Sequence, residues 1–318
     1  MIHDRLTISP AVADALRDGR PVVALESTLI SHGLPYPANI EVARASESAV
    51  SAEGATAATV AIRDGQLLVG LDEAALEALA TAPSGSVVKA ARPSLAAALG
   101  RAGWAATTVS ATMIAAQAAG IRVFATGGIG GVHRGALAGA GAVQPTLDIS
   151  PDLEELARTP MVVVCAGPKA ILDVPATLEY LETRGVPVVA LGQDELPGFY
   201  ARSLGVPAPA SVADVEGATR LASEHLGLGL GSSVLVCVPP PAAEALETTV
   251  AREAIDRAIA EADAAGIHGP ELTPWLLARI ATLTQGASVR ANTALIVNNA
   301  RVAGELARRL GDWALHPV

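Results

Sequence analysis

The sequence predicts an α/β fold: a largely parallel, mixed sheet covered by helices on both faces, with a helical C-terminal portion, in a single domain spanning 1–318. Three observations carry this expectation. Short apolar runs rich in β-branched residues recur along most of the chain, helical patterns ending at or near glycine separate them, and from about Ala242 onward the pattern is helical throughout. Nearly continuous apolar strands joined by helical crossovers require a sheet that is buried on both faces.

Taken in order, "PVVALE" (21–26), "ATVAI" (58–62), "SVVKA" (86–90), "IRVFAT" (121–126), "MVVVCA" (161–166), "VPVVAL" (186–191) and "SVLVCV" (233–238) read as buried strands. Between them, "ANIEVARASESAVSAEG", "LDEAALEALA", "TVSATMIAAQAAG" and "DVPATLEYLETRG" read as helices. The C-terminal part reads as three helical stretches, "TVAREAIDRAIAEADAAG", "ELTPWLLARIATLTQG" and "SVRANTALIVNNARVAGELARRLG". The least ordered stretches are "GALAGAGAVQP" (135–145) and "GVPAPASVADVEG" (205–217), and neither is long enough to divide domains.

Composition narrows the partners. A net charge of −10 disfavours nucleic acid and anionic membrane surfaces. No apolar run approaches the ~20 residues of a membrane span, and "MIHDRLTISP" lacks the apolar core of a signal peptide. Cys165 and Cys237 are isolated and end apolar runs, so they read as buried thiols in a reducing compartment. A soluble cytoplasmic protein acting on a small molecule is expected.

The basic residues are unevenly chosen. Of 22, lysine stands only at Lys89 and Lys169, and the rest are arginine. A guanidinium stays protonated, whereas a lysine amine can lose its proton and act as a nucleophile. Both lysines fall at the ends of expected strands, and open α/β sheets bind ligands outside the carboxyl ends of their strands. The same rule selects "ESTLISHG", which places Glu26, Ser27, Thr28, Ser31 and His32 at one edge.

Three further motifs stand out. "ATGGIGGVHRG" (125–135) offers unobstructed backbone amides suited to an anion, with His133 and Arg134 directly after them. It is not a dinucleotide fingerprint, because His133 stands where the third glycine would be. "TLDISPDLEELA" (146–157) carries Asp148 and Asp152 around Ser150, a pattern open to a hard divalent cation. It equally suits a helix N-cap at Ser150 with Pro151 at the first position, which leaves Asp148 unassigned. Asn292 and Asn299 are seven apart and share a helix face, for a helix–helix hydrogen bond or a site.

Together, "ALESTLISHGLPYPAN", "TTVSATMIAAQAAGIRVFATGGIGGVHRG", "DISPDLEELA", "VVVCAGPKAILD", "TLEYLETRGVPV", "LTPWLLAR" and "ALIVNNA" closely resemble the pseudouridine-5′-phosphate glycosidase family, also labelled indigoidine synthase A-like. The resemblance covers almost the whole chain in order. It implies a three-layer α/β/α sandwich, a homotrimer, and a divalent metal, Mn²⁺ or another such as Mg²⁺. It also implies reversible cleavage of a C1′–C5 C-glycosidic bond to uracil and ribose 5-phosphate. Carried over by position, Glu26 is the proton donor, Lys169 the nucleophile and Lys89 a substrate-binding lysine. Val109, Ser150, Pro151 and Asp152 match substrate-contact positions, and Asp148 matches the metal aspartate. Thr126, His133 and Asn292 are assigned to the pocket. The implied chemistry is ring opening assisted by Glu26, a Lys169 imine at C1′ acting as electron sink while the C1′–C5 bond breaks, and hydrolysis.

The chain departs from the family pattern in two places. The connection after "GGVHRG" is longer, glycine-rich and uncharged across 135–147, where it is expected to border the pocket. Pro168 replaces the small residue usual before the lysine. These departures keep a sibling activity in view, a C-glycosynthase joining ribose 5-phosphate to an aromatic carbon. A non-catalytic nucleotide-binding module using the glycine loop is the reading from another class.

Overall fold

The computed structural model describes residues 2–137, 147–267, 269 and 272–315. The central part of the glycine-rich connection (138–146) therefore lies outside the described residues, as do His268 and His316.

Among the described residues eleven strands form one sheet: β1 (Leu6–Ile8), β2 (Val22–Leu25), β3 (Thr56–Arg63), β4 (Gln66–Val69), β5 (Val88–Ala90), β6 (Trp104–Thr107), β7 (Val123–Ala125), β8 (Val162–Cys165), β9 (Val188–Leu191), β10 (Ala210–Val212) and β11 (Val234–Cys237). The main path runs β1-β4-β3-β2-β7-β8-β11-β9-β10. All seven expected runs become strands. β1, β4, β6 and β10 were not legible, because three or four residues are too few to show a period. β6 is in addition "WAAT", which has little β-branched character. Pairing is parallel except around β3, which is antiparallel to both β4 and β6. The β3–β4 hairpin turns on Asp64 and Gly65, both with positive φ. An Asp-Gly pair supplies this geometry at little cost.

The helices are α1 (Pro10–Arg17), α2 (Ala38–Ala52), α3 (Glu73–Ala80), α4 (Leu95–Leu99), α5 (Val109–Ala118), α6 (Pro151–Leu156), α7 (Val174–Thr183), α8 (Val215–Gly227), α9 (Thr248–Ala264), α10 (Leu272–Leu283) and α11 (Ala287–Leu315). Asp72, Asp173 and Asp214 accept backbone N–H bonds at the starts of α3, α7 and α8, which explains where these helices begin. The stretch 205–217, expected to be loosely ordered, holds β10 and the cap of α8. His225 is buried on α8, with Nε2 3.0 Å from Ser232 Oγ.

Strand alternation sorts the helices into layers. Val22 and Ala24 of β2 face one core with Val12 of α1, Met113 of α5, Leu153 of α6 and Leu181 of α7. Val23 and Leu25 face the opposite core with Val50 of α2, Ala222 of α8 and Leu306 of α11. The result is a three-layer α/β/α sandwich. A third cluster joins α9, α10 and the first turns of α11 to Phe199 and Leu172, beside the strand ends. The helical C-terminal portion therefore supplies both an outer layer and a wall near the site. No described helix is long and apolar enough to cross a membrane. Both cysteines are free and fully buried, facing one another in register on β8 and β11.

Candidate active site

Strand β3 creates the site by serving two half-sheets. Its residues 56–59 pair in parallel with β2, and residues 61–63 pair antiparallel with β6. β2 and β6 consequently meet end to end with their carboxyl termini facing. Ser27 and Thr107 close this junction: Ser27 N–H donates to Thr107 O at 3.3 Å, and Thr107 N–H to Ser27 Oγ at 3.0 Å. β5 runs parallel to β6 with Lys89 opposite Ala106. Lys89 thus reaches the carboxyl ends of β2, β7 and β8 from the other half-sheet. It lies mid-strand, whereas the sequence had suggested a strand end.

These elements enclose a cavity of about 140 Å³ lined by Glu26, Lys89, Lys169, His32, Asn292 and Phe199, among others. The two lysines and the glutamate, separated by up to 143 positions, share one cleft. Lys169 is half-buried. A larger cavity of about 530 Å³ lies behind Pro168, between Asp173, Leu196 and Arg252. Neither lysine nor Glu26 lines it, so the smaller cleft is the candidate for chemistry.

The electrostatics fit a site with a crowded positive charge. Desolvation, aided by the nearby Lys169 charge, holds the Lys89 amine below the ordinary lysine range, while Glu26 opposes that shift. Desolvation and the Lys89 charge also lower His32, against a hydrogen bond at Val87. His32 Nδ1 lies 2.7 Å from Ser31 Oγ. Glu26 is held by two hydroxyls, Thr28 donating to Oε2 and Thr126 to Oε1. Thr126 follows β7, and its carbonyl accepts from Asn299 Nδ2 at 2.9 Å. Asn299 thus ties α11 to the wall behind Glu26.

The glycine run lies beside the lysine turn and is joined to it by backbone bonds. Ile129 N–H donates to Gly167 O at 3.2 Å, and Lys169 N–H to Ile129 O at 3.1 Å. A Cβ on Gly128 would sit 2.9 Å from Gly167 O and 2.6 Å from Phe199 Cε2, so nothing larger than glycine fits. This narrows the expected anion nest to the Gly127–Gly128 end of the run. The amides of Ile129, Gly130, Val132 and His133 are bonded to Gly167 O, Asp152 Oδ2, Thr177 Oγ and Asp148 O respectively. Close packing accounts for much of the glycine content, and Gly127 and Gly128 are the members lining the cleft.

The remaining sequence assignments separate. Thr126 and Asn292 belong to the cleft or its wall, as expected. His133 does not line the cleft and instead pairs with Asp148, Nδ1 to Oδ2 at 3.7 Å. Val109 is 2% exposed at the first turn of α5, so its side chain is core. Ser150 caps α6 by accepting from Asp152 N–H, with Pro151 at the first helical position, which is the capping arrangement. The Asp152 carboxylate is buried and accepts from Ser110 N–H at 3.1 Å and Gly130 N–H at 3.0 Å. These bonds pin the glycine loop to the start of α5, and any substrate contact at Val109 or Asp152 falls to the backbone. Thr28 and His32, which the sequence placed at this strand edge, line the cleft, and so do Phe199, Thr273 and Pro274, which had not been assigned to it. The signal for the last two was present in "LTPWLLAR".

Among the described residues no group of three or more His, Cys, Asp or Glu side chains could hold a metal. Asp148, about half exposed and with His133 beside it, fits one carboxylate of a hard cation whose other oxygens come from water and phosphate. It does not fit a closed protein cage.

Comparison with known proteins follows this geometry. The family described as indigoidine synthase A like protein matches residues 11–309. A pseudouridine-5′-phosphate glycosidase of Paracoccus denitrificans is 52% identical over 311 residues, covering 95% of this chain and 97% of its own. One from Caldanaerobacter subterraneus is 50% identical and covers 96% of each. Among solved structures, the prealnumycin C-glycosynthase in complex with ribulose 5-phosphate superposes with a TM-score of 0.88 at 38% identity, covering 98% of both chains. An indigoidine synthase A-like protein of Thermotoga maritima gives 0.83 at 31% identity over 97% of both. Matched nearly end to end in sequence and in fold, the chain belongs to the indigoidine synthase A like protein family.

Proposed function

We propose that this chain is a pseudouridine-5′-phosphate glycosidase, a lyase-type enzyme that splits the C1′–C5 bond to uracil and ribose 5-phosphate. The observation that carries the reading is the convergence of Lys169, Lys89 and Glu26 in one cleft, in a chain half identical to glycosidases of that name. The bond to be broken joins two carbons, so protonating a heteroatom leaving group cannot release it. An amine supplies the missing route.

In the proposed sequence Glu26 gives a proton to the ring oxygen and the ribose opens. Lys169 Nζ bonds to C1′ and loses a proton. The nitrogen lone pair then expels C5, which takes up a proton as uracil leaves, and C1′ remains as the lysine iminium. Water adds to that carbon and ribose 5-phosphate departs. Thr28 and Thr126 hold Glu26 in place throughout. Lys89 presents the second positive charge to the sugar phosphate. Asp148 would hold a divalent cation, Mn²⁺ in this reading, which would neutralise phosphate charge when bound. We further infer a homotrimer located in the cytoplasm; the free buried cysteines accord with a reducing compartment.

Incubation with pseudouridine 5′-phosphate, with and without Mn²⁺, tests the reading: prompt uracil release is expected, and it should fall when the metal is chelated. The structural relative that is a C-glycosynthase supports a second activity, ribose transfer to another aromatic carbon. Absence of uracil release would favour it. Borohydride in the presence of ribose 5-phosphate should trap a covalent adduct on the native chain and none on Lys169→Ala. Trapping that survives the substitution would mean another amine is the nucleophile.

A further inference from the structure

Next to the cleft, and sharing Glu26, Leu29 and Ile296 with it, lies a second, nearly closed space of about 10 Å³ whose other polar lining is Ser46, Thr59 and Thr126. A volume of about this size admits a single water, and the polar lining supplies partners for it. Thr59 stands on β3 directly opposite Leu25, the residue before Glu26. Its hydroxyl does not end the chain of polar groups, because it donates to Glu47 Oε1 on α2. Glu47 does not line the cleft, and the catalytic scheme above leaves it unused.

Glu47 has an unusual setting. It is partly buried, and desolvation raises its pKa, aided by Glu73 from α3. The Thr59 bond and Arg44 on its own helix oppose this shift. Arg44 is engaged by Glu73 and Glu77, so it does not pair with Glu47. A partly exposed carboxylate whose burial favours the protonated form and which bonds a hydroxyl is suited to passing protons.

We propose that Glu47, Thr59 and one water form a proton path that recharges Glu26 while substrate fills the cleft. Glu47 takes a proton from solvent and, once protonated, donates to Thr59 Oγ instead of accepting from it, which turns the Thr59 hydroxyl hydrogen toward the water. Thr59 then takes the Glu47 proton as it releases its own hydrogen to the water, and the water delivers one to Glu26. No bond other than O–H changes and no electron is transferred. The need follows from the reaction, in which the ring oxygen and C5 each receive a proton in one turnover. Glu47 acts through Thr59 and is a positioning and relay residue. This inference rests on the proposed function only for the identity of the reaction.

Kinetics on the whole chain test it. Glu47→Gln keeps the size and the Thr59 bond and is expected to lower kcat on the order of 10- to 100-fold. KM should stay within about two-fold, the solvent deuterium isotope effect on kcat should rise, and small weak acids should restore part of the rate. Thr59→Val should give the same loss, and the double variant should lose no more than either alone. An unchanged kcat in folded Glu47→Gln, or fully additive losses in the double variant, overturns the path. A readout independent of turnover separates this from failure of the glycosidase reading. With carboxyl-labelled glutamate, the Glu47 titration midpoint seen by ¹³C NMR should move in Glu26→Gln, and this response should vanish in the Thr59→Val background. A midpoint indifferent to Glu26→Gln overturns the path even if the native chain releases uracil.

Discussion

Lys89 illustrates how a single residue can weaken the fold while serving the site. Its amine is held below the ordinary lysine range by desolvation and by Lys169. The folded chain therefore binds fewer protons than the unfolded chain between the two pKa values, and stability rises with pH across that window. Lys89→Met should remove this cost, which solvent screening keeps small because Lys89 is exposed. The expected outcome is a higher Tm at pH 7, with the gain shrinking as pH rises toward the unfolded lysine value of about 10.4, together with loss of activity. Thermal melts of both proteins from pH 7 to 10.5 check the sign, and a gain that grows with pH would contradict it. Asn299 is a related case. Its amide nitrogen serves Thr126 and Gly127, yet Oδ1 is buried without a hydrogen-bond partner in the structure, a cost accepted to hold the wall behind Glu26. The lysine scarcity and the position of Glu26 were legible in the sequence. The pairing of His133 with Asp148 and the burial of Asp152 were not, since both depend on contacts across the glycine loop.

At the scale of elements, the contact between α2 and α11 controls the wall that carries Glu47. Gly304 on α11 lies against α2, where an added Cβ would meet Val50 O and Glu53 Cβ, each at 3.0 Å. Gly311 on the same helix meets nothing within 4 Å. The two glycines should therefore respond in opposite directions. Gly311→Ala is expected to stabilise by about 0.5–1 kcal/mol through helix propensity. Gly304→Val should destabilise by about 1–3 kcal/mol through overpacking. Urea unfolding measures both, and equal effects would show that the helix contact does not set the limit. The sequence revealed α2 and α11 as helices, but their mutual packing has no local period to betray it. The β3–β4 hairpin was missed as well: Asp64 and Gly65 form its turn, but β4 is too short to show a period that would have paired it with β3.

At the scale of the molecule, the proposed trimer is open to direct measurement. Sedimentation equilibrium should return three times the chain mass at micromolar concentration, and a monomer of full activity would remove the oligomer from the reading. The apolar strands, the capped helices, the two lysines and the family resemblance were all readable from one dimension, because each depends on residue type and local spacing. What the tertiary structure alone decided is how the sheet divides at β3. That strand runs parallel to one neighbour and antiparallel to the next, so β5 and β8 point their functional residues into the same cleft. No local pattern encodes a meeting between Lys89 and Lys169, because it arises from pairing partners chosen across the whole sheet.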